Sequence, residues 1–339
     1  MRILLLGKNG QLGWELQRSL SVLGELVALD RHGADGLCGD LANLAGLQQT
    51  LRQLQPQVIV NAAAHTAVDK AESEPELAQA LNALAPELLA QEAARCGAWL
   101  LHYSTDYVFD GSGSAPWRET DAPAPLSVYG RSKLEGEQRI AASGCQHLIF
   151  RTSWVYGARG GNFARTMLRL AQERDQLKVI DDQVGVPTGA DLLADVSAHA
   201  LRQALAPKGL ARPTPSGIYH LAAAGQTSWH GYARFVLQTA QAAGLALKVS
   251  PDAVEPIPTS AYPTPARRPL NSRLDTTRCK IPLVCICLIG SRAWRTCWQK
   301  FCKTKKLYDF TQRHHPGRRL RHPAAPGHAG DQQAIAAGL

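Results

Sequence analysis

The opening stretch constrains the fold more than any other part of the chain. An apolar run, Arg2–Leu6, leads into Gly7-Lys8-Asn9-Gly10-Gln11-Leu12-Gly13, and an amphipathic pattern follows from Gln11 to about Leu23. Glycines spaced in this way between a strand and a helix have three uses. Gly7 permits a tight turn, Gly10 lets backbone approach a pyrophosphate, and Gly13 lets helix and strand pack closely. The start of the helix then offers unpaired N–H groups to an anion. The segment therefore predicts the first turn of a dinucleotide-binding βαβ unit.

The same rhythm continues. Glu25–Leu29, Gln57–Asn61, Ala98–Ser104 and Gln146–Thr152 read as strands, separated by helical patterns at Leu41–Gln55, Glu74–Cys96 and Ser127–Ala142. Val58, Ile59 and Val60 form an unbroken apolar run, the mark of a strand buried on both faces. The expected class is α/β, a Rossmann-like doubly wound parallel sheet. Pro86 is expected to kink the long third helix. Further on, Asn162–Arg174, Ala190–Ala204 and Trp229–Ala243 look helical and Gly217–Leu221 extended, while six prolines between Pro251 and Pro269 predict no regular element there. The expected division is a dinucleotide-binding domain over 1–155 with later segments interleaved, a smaller substrate-binding lobe over 156–278, and a tail from 279 to 339.

Composition separates the tail from the rest. Residues 1–278 hold 26 basic and 26 acidic side chains, whereas 279–339 hold 11 basic and two acidic ones. Five of the eight cysteines crowd between Cys279 and Cys302. A shifted reading frame, with an evolved basic extension as the alternative, would account for a simultaneous change in composition, charge and cysteine use, and the tail is expected to be disordered. No apolar run approaches the roughly 18 residues of a membrane span. Ile3–Leu6 is too short for a signal-peptide core, so a cytoplasmic protein with no membrane partner is expected. Nothing in the basic tail has the pattern of a specific nucleic-acid reader.

Asp30 closes the second strand, where a carboxylate can accept from a ribose 2′-hydroxyl and so favours NADH. Lys8 and Arg31 beside it suit a 2′-phosphate, which keeps NADPH open. Asp40, followed by Leu41, can cap the next helix and approach the adenine. After the third strand, Asn61-Ala62-Ala63-Ala64-His65-Thr66 leaves room for a flat ligand. Tyr129 and Lys133, at i and i+4, share one helical face. The ammonium is expected to lower the phenol's pKa and make proton exchange possible near neutral pH. Ser104 and Thr105 sit at the carboxyl end of the fourth strand, where open α/β sheets place ligands.

Taken in this order, the segments GKNGQLGWELQ, HYSTDYVFDG, VYGRSKLEGE and FRTSWVYG resemble the extended short-chain dehydrogenase/reductases. Within them the chain is similar to the dTDP-4-dehydrorhamnose reductase family, over residues 1–277 almost continuously. The resemblance implies that Tyr129 is the proton donor, with Thr105 tuning it and Lys133 assisting. It implies a cofactor site lined by Gly10, Gln11, Leu12, Asp30, Asp40, Leu41, Ala64, His65, Thr66, Tyr103 and Lys133. It implies substrate contacts from Thr105, Asp106 and Trp154. Arg267 and Arg268 are expected to clamp the diphosphate. The implied reaction is reduction of dTDP-4-dehydro-β-L-rhamnose, feeding lipopolysaccharide O-antigen or another surface polysaccharide. Asp106 is followed by Tyr107 and not by a second carboxylate, which separates the chain from the family's dehydratases. Another nucleotide-sugar reductase or epimerase, or a cofactor-binding regulatory subunit, are the alternatives. Relatives form homodimers around Mg²⁺; Glu15 and Asp191 occupy two of the ligand positions, and the third would fall in the altered tail.

Overall fold

The structure, a computed structural model, describes residues 1–206 and 215–279. The expected disorder of the tail beyond Cys279 lies outside the described residues.

Strands β1 (Arg2–Leu6), β2 (Glu25–Leu29), β3 (Val58–Asn61), β4 (Trp99–Thr105) and β5 (Gln146–Thr152) join Gly217–His220 in one six-stranded sheet. All neighbours are parallel, in the order Gly217–His220, β5, β4, β3, β1, β2. The order reverses between β1 and β3, and a crevice opens at the carboxyl ends of strands that flank such a point. Alternate residues serve opposite faces. Ile3, Leu5, Val58 and Val60 meet helices α1 (Gln11–Leu20) and, from later in the chain, Ala190–Ala204. Leu4, Leu6, Ile59 and Leu100 face the other way, towards the helices that follow β2 to β4.

On that second face lie α2 (Leu44–Leu54), α3 (Val68–Ser73), α4 (Pro75–Gln79), α5 (Ala85–Cys96) and α6 (Val128–Ala142). The expected kink at Pro86 is a π-helical turn, Ala80–Leu84, that joins α4 to α5 immediately before the proline. Pro86 has no N–H to give to a preceding carbonyl, so it fits only at a helix start. The start of α2 also differs from expectation. It begins at Leu44, where the Asn43 side chain accepts from Gly46 N–H, while Asp40 accepts only the Ala42 N–H in the preceding turn. Asn43 is the cap because it stands three residues before the N–H it accepts; Asp40 is too far upstream.

A second core joins α7 (Phe163–Glu173) to the helix Trp229–Ala242 through Phe163, Met167, Trp229, Tyr232 and Val236. It also covers Leu177–Ile180, which pairs in parallel with Val254–Ile257. That strand, with Pro256 inside it, corrects the expectation of no regular element across the proline-rich stretch. The pair is isolated, so a residue lacking an N–H is tolerated on its free edge. Helix Ala190–Ala204 and strand Gly217–His220 return to the first core, as does Cys279.

Candidate active site

The glycine turn is built as tightly as its spacing requires. Gly7 has φ +88°, and a Cβ there would stand 2.8 Å from the Ala63 nitrogen. At Gly13 a Cβ would stand 2.0 Å from the Gly7 carbonyl oxygen, so helix and turn touch through bare backbone. Gly10 is different. It is exposed, and the one neighbour of its notional Cβ is the Gly7 oxygen at 3.4 Å. Helix α1 starts at this open position without a side-chain cap, so its first N–H groups remain available to a phosphate. The cradle fits a dinucleotide.

At the end of β2, Asp30 accepts the His32 backbone N–H at 2.9 Å and the Asn9 amide at 2.6 Å. The His32 N–H, and after it the Lys8 charge 3.9 Å away, hold this carboxyl below the usual range. Arg31 is exposed beside it. Acid and bases thus coexist where the two cofactors differ. Leu41 is buried in the core behind, Leu12 packs on the core under α1, and Thr66 is exposed.

His65 is buried and its backbone is pinned. Its N–H donates to Asn82 Oδ1 at 2.8 Å and its carbonyl accepts from Asn82 Nδ2 at 3.0 Å. Asn82 also reaches Ser132 Oγ on α6 at 3.0 Å. The π-helical turn therefore ties the Ala64–Thr66 loop to the Tyr129 helix, a use such turns often have at functional sites.

Helix α6 opens at Ser127, whose hydroxyl accepts the Gly130 N–H at 3.1 Å. Tyr129 lies in its first turn and meets Tyr107 edge-on, ring centres 5.6 Å apart. The Thr105 hydroxyl acts on the Tyr129 phenol from the end of β4, and it donates to Asp106 Oδ1 at 3.1 Å. Burial pushes the phenol up to about 12, Thr105 opposes the rise and Asp106 adds to it. This corrects the expected lowering by Lys133. The Lys133 ammonium is buried and turned to the sheet, with Nζ 2.7 Å from the Tyr103 carbonyl and 3.1 Å from His102 Nε2. Burial brings Lys133 down to about 8, with Glu137 opposing. A phenol that holds its proton at neutral pH suits an acid rather than a base.

Tyr103 departs from its expected place. Its side chain turns into the core, where its hydroxyl and that of Ser197 lie 2.6 Å apart, and only its carbonyl serves Lys133. Asp106 is 2% exposed with Oδ2 unpartnered, and burial pushes it up to about 6, with Ser272 and Thr105 opposing the rise. Ser104 Oγ is likewise buried and unpartnered. Orphaned polar atoms beside the phenol are what a substrate hydroxyl or carbonyl would complete.

Trp154 follows β5 with φ +47°, a strained value for a side-chain-bearing residue. Its ring stacks on Trp229 at 3.6 Å, and Gly185 leaves space for it. Arg268, expected at the diphosphate, is engaged within the chain. Its guanidinium binds Asp69 through both carboxylate oxygens, at 3.1 and 2.8 Å, and also Thr264 and the Ala266 carbonyl. Asp69 on α3 takes the fork that the sequence seemed to offer to a ligand. Arg267 is exposed.

Arg18 stands between Glu15 and Asp191: it lies 3.7 Å from Glu15 and 2.6 Å from Asp195, and the Asp191 charge also acts on it. Among the described residues no three acids, histidines or cysteines converge on a metal position. These residues do not fit Mg²⁺ by themselves.

Sequence reasoning missed the buried supports: Asn61, His102, Asn82, and the Glu137–Arg151 pair, whose bonds are 2.9 and 2.6 Å. One signal was available. Tyr129, Lys133 and Glu137 repeat at i, i+4 and i+8, one stripe of polar groups on a helix that must face the sheet.

Comparison with known proteins bears on the same residues. The family model described as RmlD substrate binding domain matches residues 1–306. The dTDP-4-dehydrorhamnose reductase of Salmonella typhimurium is 58% identical over 278 residues, 82% of this chain and 90% of that protein. Among solved structures, a dTDP-4-dehydrorhamnose reductase from Clostridium acetobutylicum superposes with TM-score 0.79 at 34% identity, covering 88% of this chain and 99% of that one. The Bacillus anthracis enzyme of that name, in complex with NADP, gives TM-score 0.78 at 31% identity over 88% and 99%. With the glycine cradle, the Thr105 hydroxyl and the Tyr129–Lys133 face all inside the matched region, the chain belongs to the dTDP-4-dehydrorhamnose reductase family of extended short-chain dehydrogenase/reductases.

Proposed function

We propose that the protein reduces the 4-keto group of dTDP-4-dehydro-β-L-rhamnose to give dTDP-β-L-rhamnose, the last step of dTDP-L-rhamnose synthesis, using NADPH or NADH. The observation that carries this reading is the placement of the Thr105 hydroxyl at the carboxyl end of β4 next to the Tyr129 phenol, which it draws down against burial, beside a cradle of bare backbone. It gives a proton donor and a ligand crevice in one place.

The nicotinamide, when bound, supplies the hydride. Gly7, Gly10, Gln11, Leu12 and Gly13 would hold its pyrophosphate, and Asp30, Lys8 and Arg31 would meet its adenine ribose. The residues of this chain do the rest. Tyr129 retains its proton until an alkoxide oxygen forms next to it, then gives that proton up. Thr105, beside the phenol and anchored by its bonds to Asp106 and the Tyr107 N–H, helps to fix the position of the reacting group. Lys133 adds positive charge below Tyr129 as that phenolate forms. Asp106 and Ser104 have unfilled hydrogen-bonding capacity for the sugar. Trp154, held by Trp229, offers a flat apolar wall, and exposed Arg267 is a candidate for the diphosphate.

The test uses cofactor deuterated at the transferable position. The product, identified by NMR as dTDP-β-L-rhamnose, should carry deuterium at C4. Label at another carbon, or a product with the opposite C4 configuration, would refute the assignment.

A further inference from the structure

Behind Lys133 lies a chain of polar groups that the reduction does not use directly. Asn61 and His102 are partners in the β3–β4 register and point to the same face of the sheet. Lys133 descends on them from α6, and all three side chains are 2% exposed or less.

The hydrogen bonds in this chain have a fixed direction. Asn61 Oδ1 accepts the Ala63 backbone N–H at 3.2 Å, which settles which end of the amide is which. Its Nδ2 then faces His102 Nδ1 at 3.2 Å as a donor. An imidazole that accepts at Nδ1 carries its proton on Nε2. That Nε2 lies 3.1 Å from Lys133 Nζ, which also donates to the Tyr103 carbonyl at 2.7 Å. A free amine at Lys133 satisfies every contact, because its lone pair accepts from Nε2–H. An ammonium has no lone pair, so one contact must set donor against donor in a place closed to water.

We propose that His102 is a positioning residue: clamped by Asn61 with its proton on Nε2, it sets the pH at which Lys133 loses its charge, and with it the upper pH limit of the reduction. The proposal rests on the reduction read above. Among the other charged groups near Lys133, Glu137 on α6 holds the ammonium in the opposite sense, but it is itself bound to Arg151 of β5 and touches neither Asn61 nor His102, so its effect is the same for both His102 tautomers. Glu87 and Glu92 of α5 turn to Arg139 and to Arg52 and Arg95. The π-helical turn contributes the neutral Asn82. Burial, and after it the Lys133 charge, holds His102 well below its usual pKa, so the imidazole stays neutral throughout.

The test uses the full chain with ¹⁵N-labelled histidine, without ligand. NMR should show the His102 proton on Nε2. In Asn61→Asp one carboxylate oxygen can still accept the Ala63 N–H while the other accepts from Nδ1. The proton should therefore move to Nδ1, leaving Nε2 to accept from an ammonium. The alkaline limb of kcat/KM should then rise by about one pH unit, a tenfold change in the charged fraction. A parent protein with its proton on Nδ1 would overturn the proposal, and this reading needs no variant. So would a tautomer switch with an unmoved limb, or a moved limb with the proton still on Nε2, which would be the added charge acting alone. The tautomer readings require no turnover, so failure of the reduction reading is distinguishable from failure of the clamp.

Discussion

At the scale of single residues, the site divides into groups that the chain pattern announces and groups that it hides. Tyr129 and Thr105 were legible because helix period and strand end are both written in sequence. Replacing Tyr129 by Phe removes the proton donor and leaves the crevice intact. Turnover should fall by roughly 10²–10⁴, the usual worth of general acid catalysis, with NADH affinity by fluorescence nearly unchanged. Asp30 makes a second, separate prediction. Asp30→Ala removes a 2′-hydroxyl acceptor and a charge that repels a 2′-phosphate, and leaves Lys8 and Arg31 in place. The NADPH/NADH ratio of kcat/KM should rise; an unchanged ratio would make Asp30 only a partner of Asn9 and His32. What the sequence hid at this scale are partnerships across distant segments. Arg268 reads as a phosphate clamp until Asp69, 199 positions away, is found bound to it. Lys133 seems aimed at Tyr129 until the sheet register brings His102 beneath it.

At the scale of elements, close backbone contact positions the chemistry. Helix α6 rests on the π-helical turn through Gly136, where a Cβ would stand 2.1 Å from the Asn82 oxygen. Gly136→Ala should push α6 away from that turn and loosen Asn82 from His65 and Ser132. We expect a loss of about 1–3 kcal/mol in urea-unfolding free energy, the cost of overpacking a tight contact. Strand and helix existence was readable from periodicity, since both faces of β3 and one face of α1 are plainly apolar. Helix starts and the π-helical turn were not. Asn43 displaces Asp40 as cap through one side-chain bond, and a π turn differs from an α turn by one hydrogen-bond register, with no change in apolar pattern.

Across the whole molecule, buried ionisable groups set the response to acid. His102 and His220 are held neutral by burial, His220 down to about 3, while an unfolded histidine takes its proton near 6.5. Asp106 acts in the opposite sense: pushed up to about 6, it holds a proton in the folded state that the unfolded chain has released. Between roughly pH 4 and 6 the unfolded chain binds two histidine protons against one on folded Asp106. Stability should therefore fall on acidification by about 1.4 kcal/mol per pH unit in that window. Urea midpoints at successive pH values check the sign, and a rise on acidification would contradict it. Magnesium should leave sedimentation of the full chain unchanged, because Arg18 already stands among Glu15, Asp191 and Asp195. The grouping of the chain around separate cores was legible only in part. Alternating strands and helices revealed the sheet, but the return of Ala190–Ala204 and Gly217–His220 to the first core depends on contacts between segments far apart in sequence.

The central claim is net reduction of a sugar ketone by this chain. The most direct measurement is the stoichiometry of cofactor oxidation when the full-length protein converts dTDP-4-dehydro-L-rhamnose. One NADPH or NADH should be oxidised for each dTDP-L-rhamnose formed. Sugar conversion with no net cofactor oxidation would be the signature of an epimerase, and no conversion at all would be that of a binding subunit; either result would contradict the account.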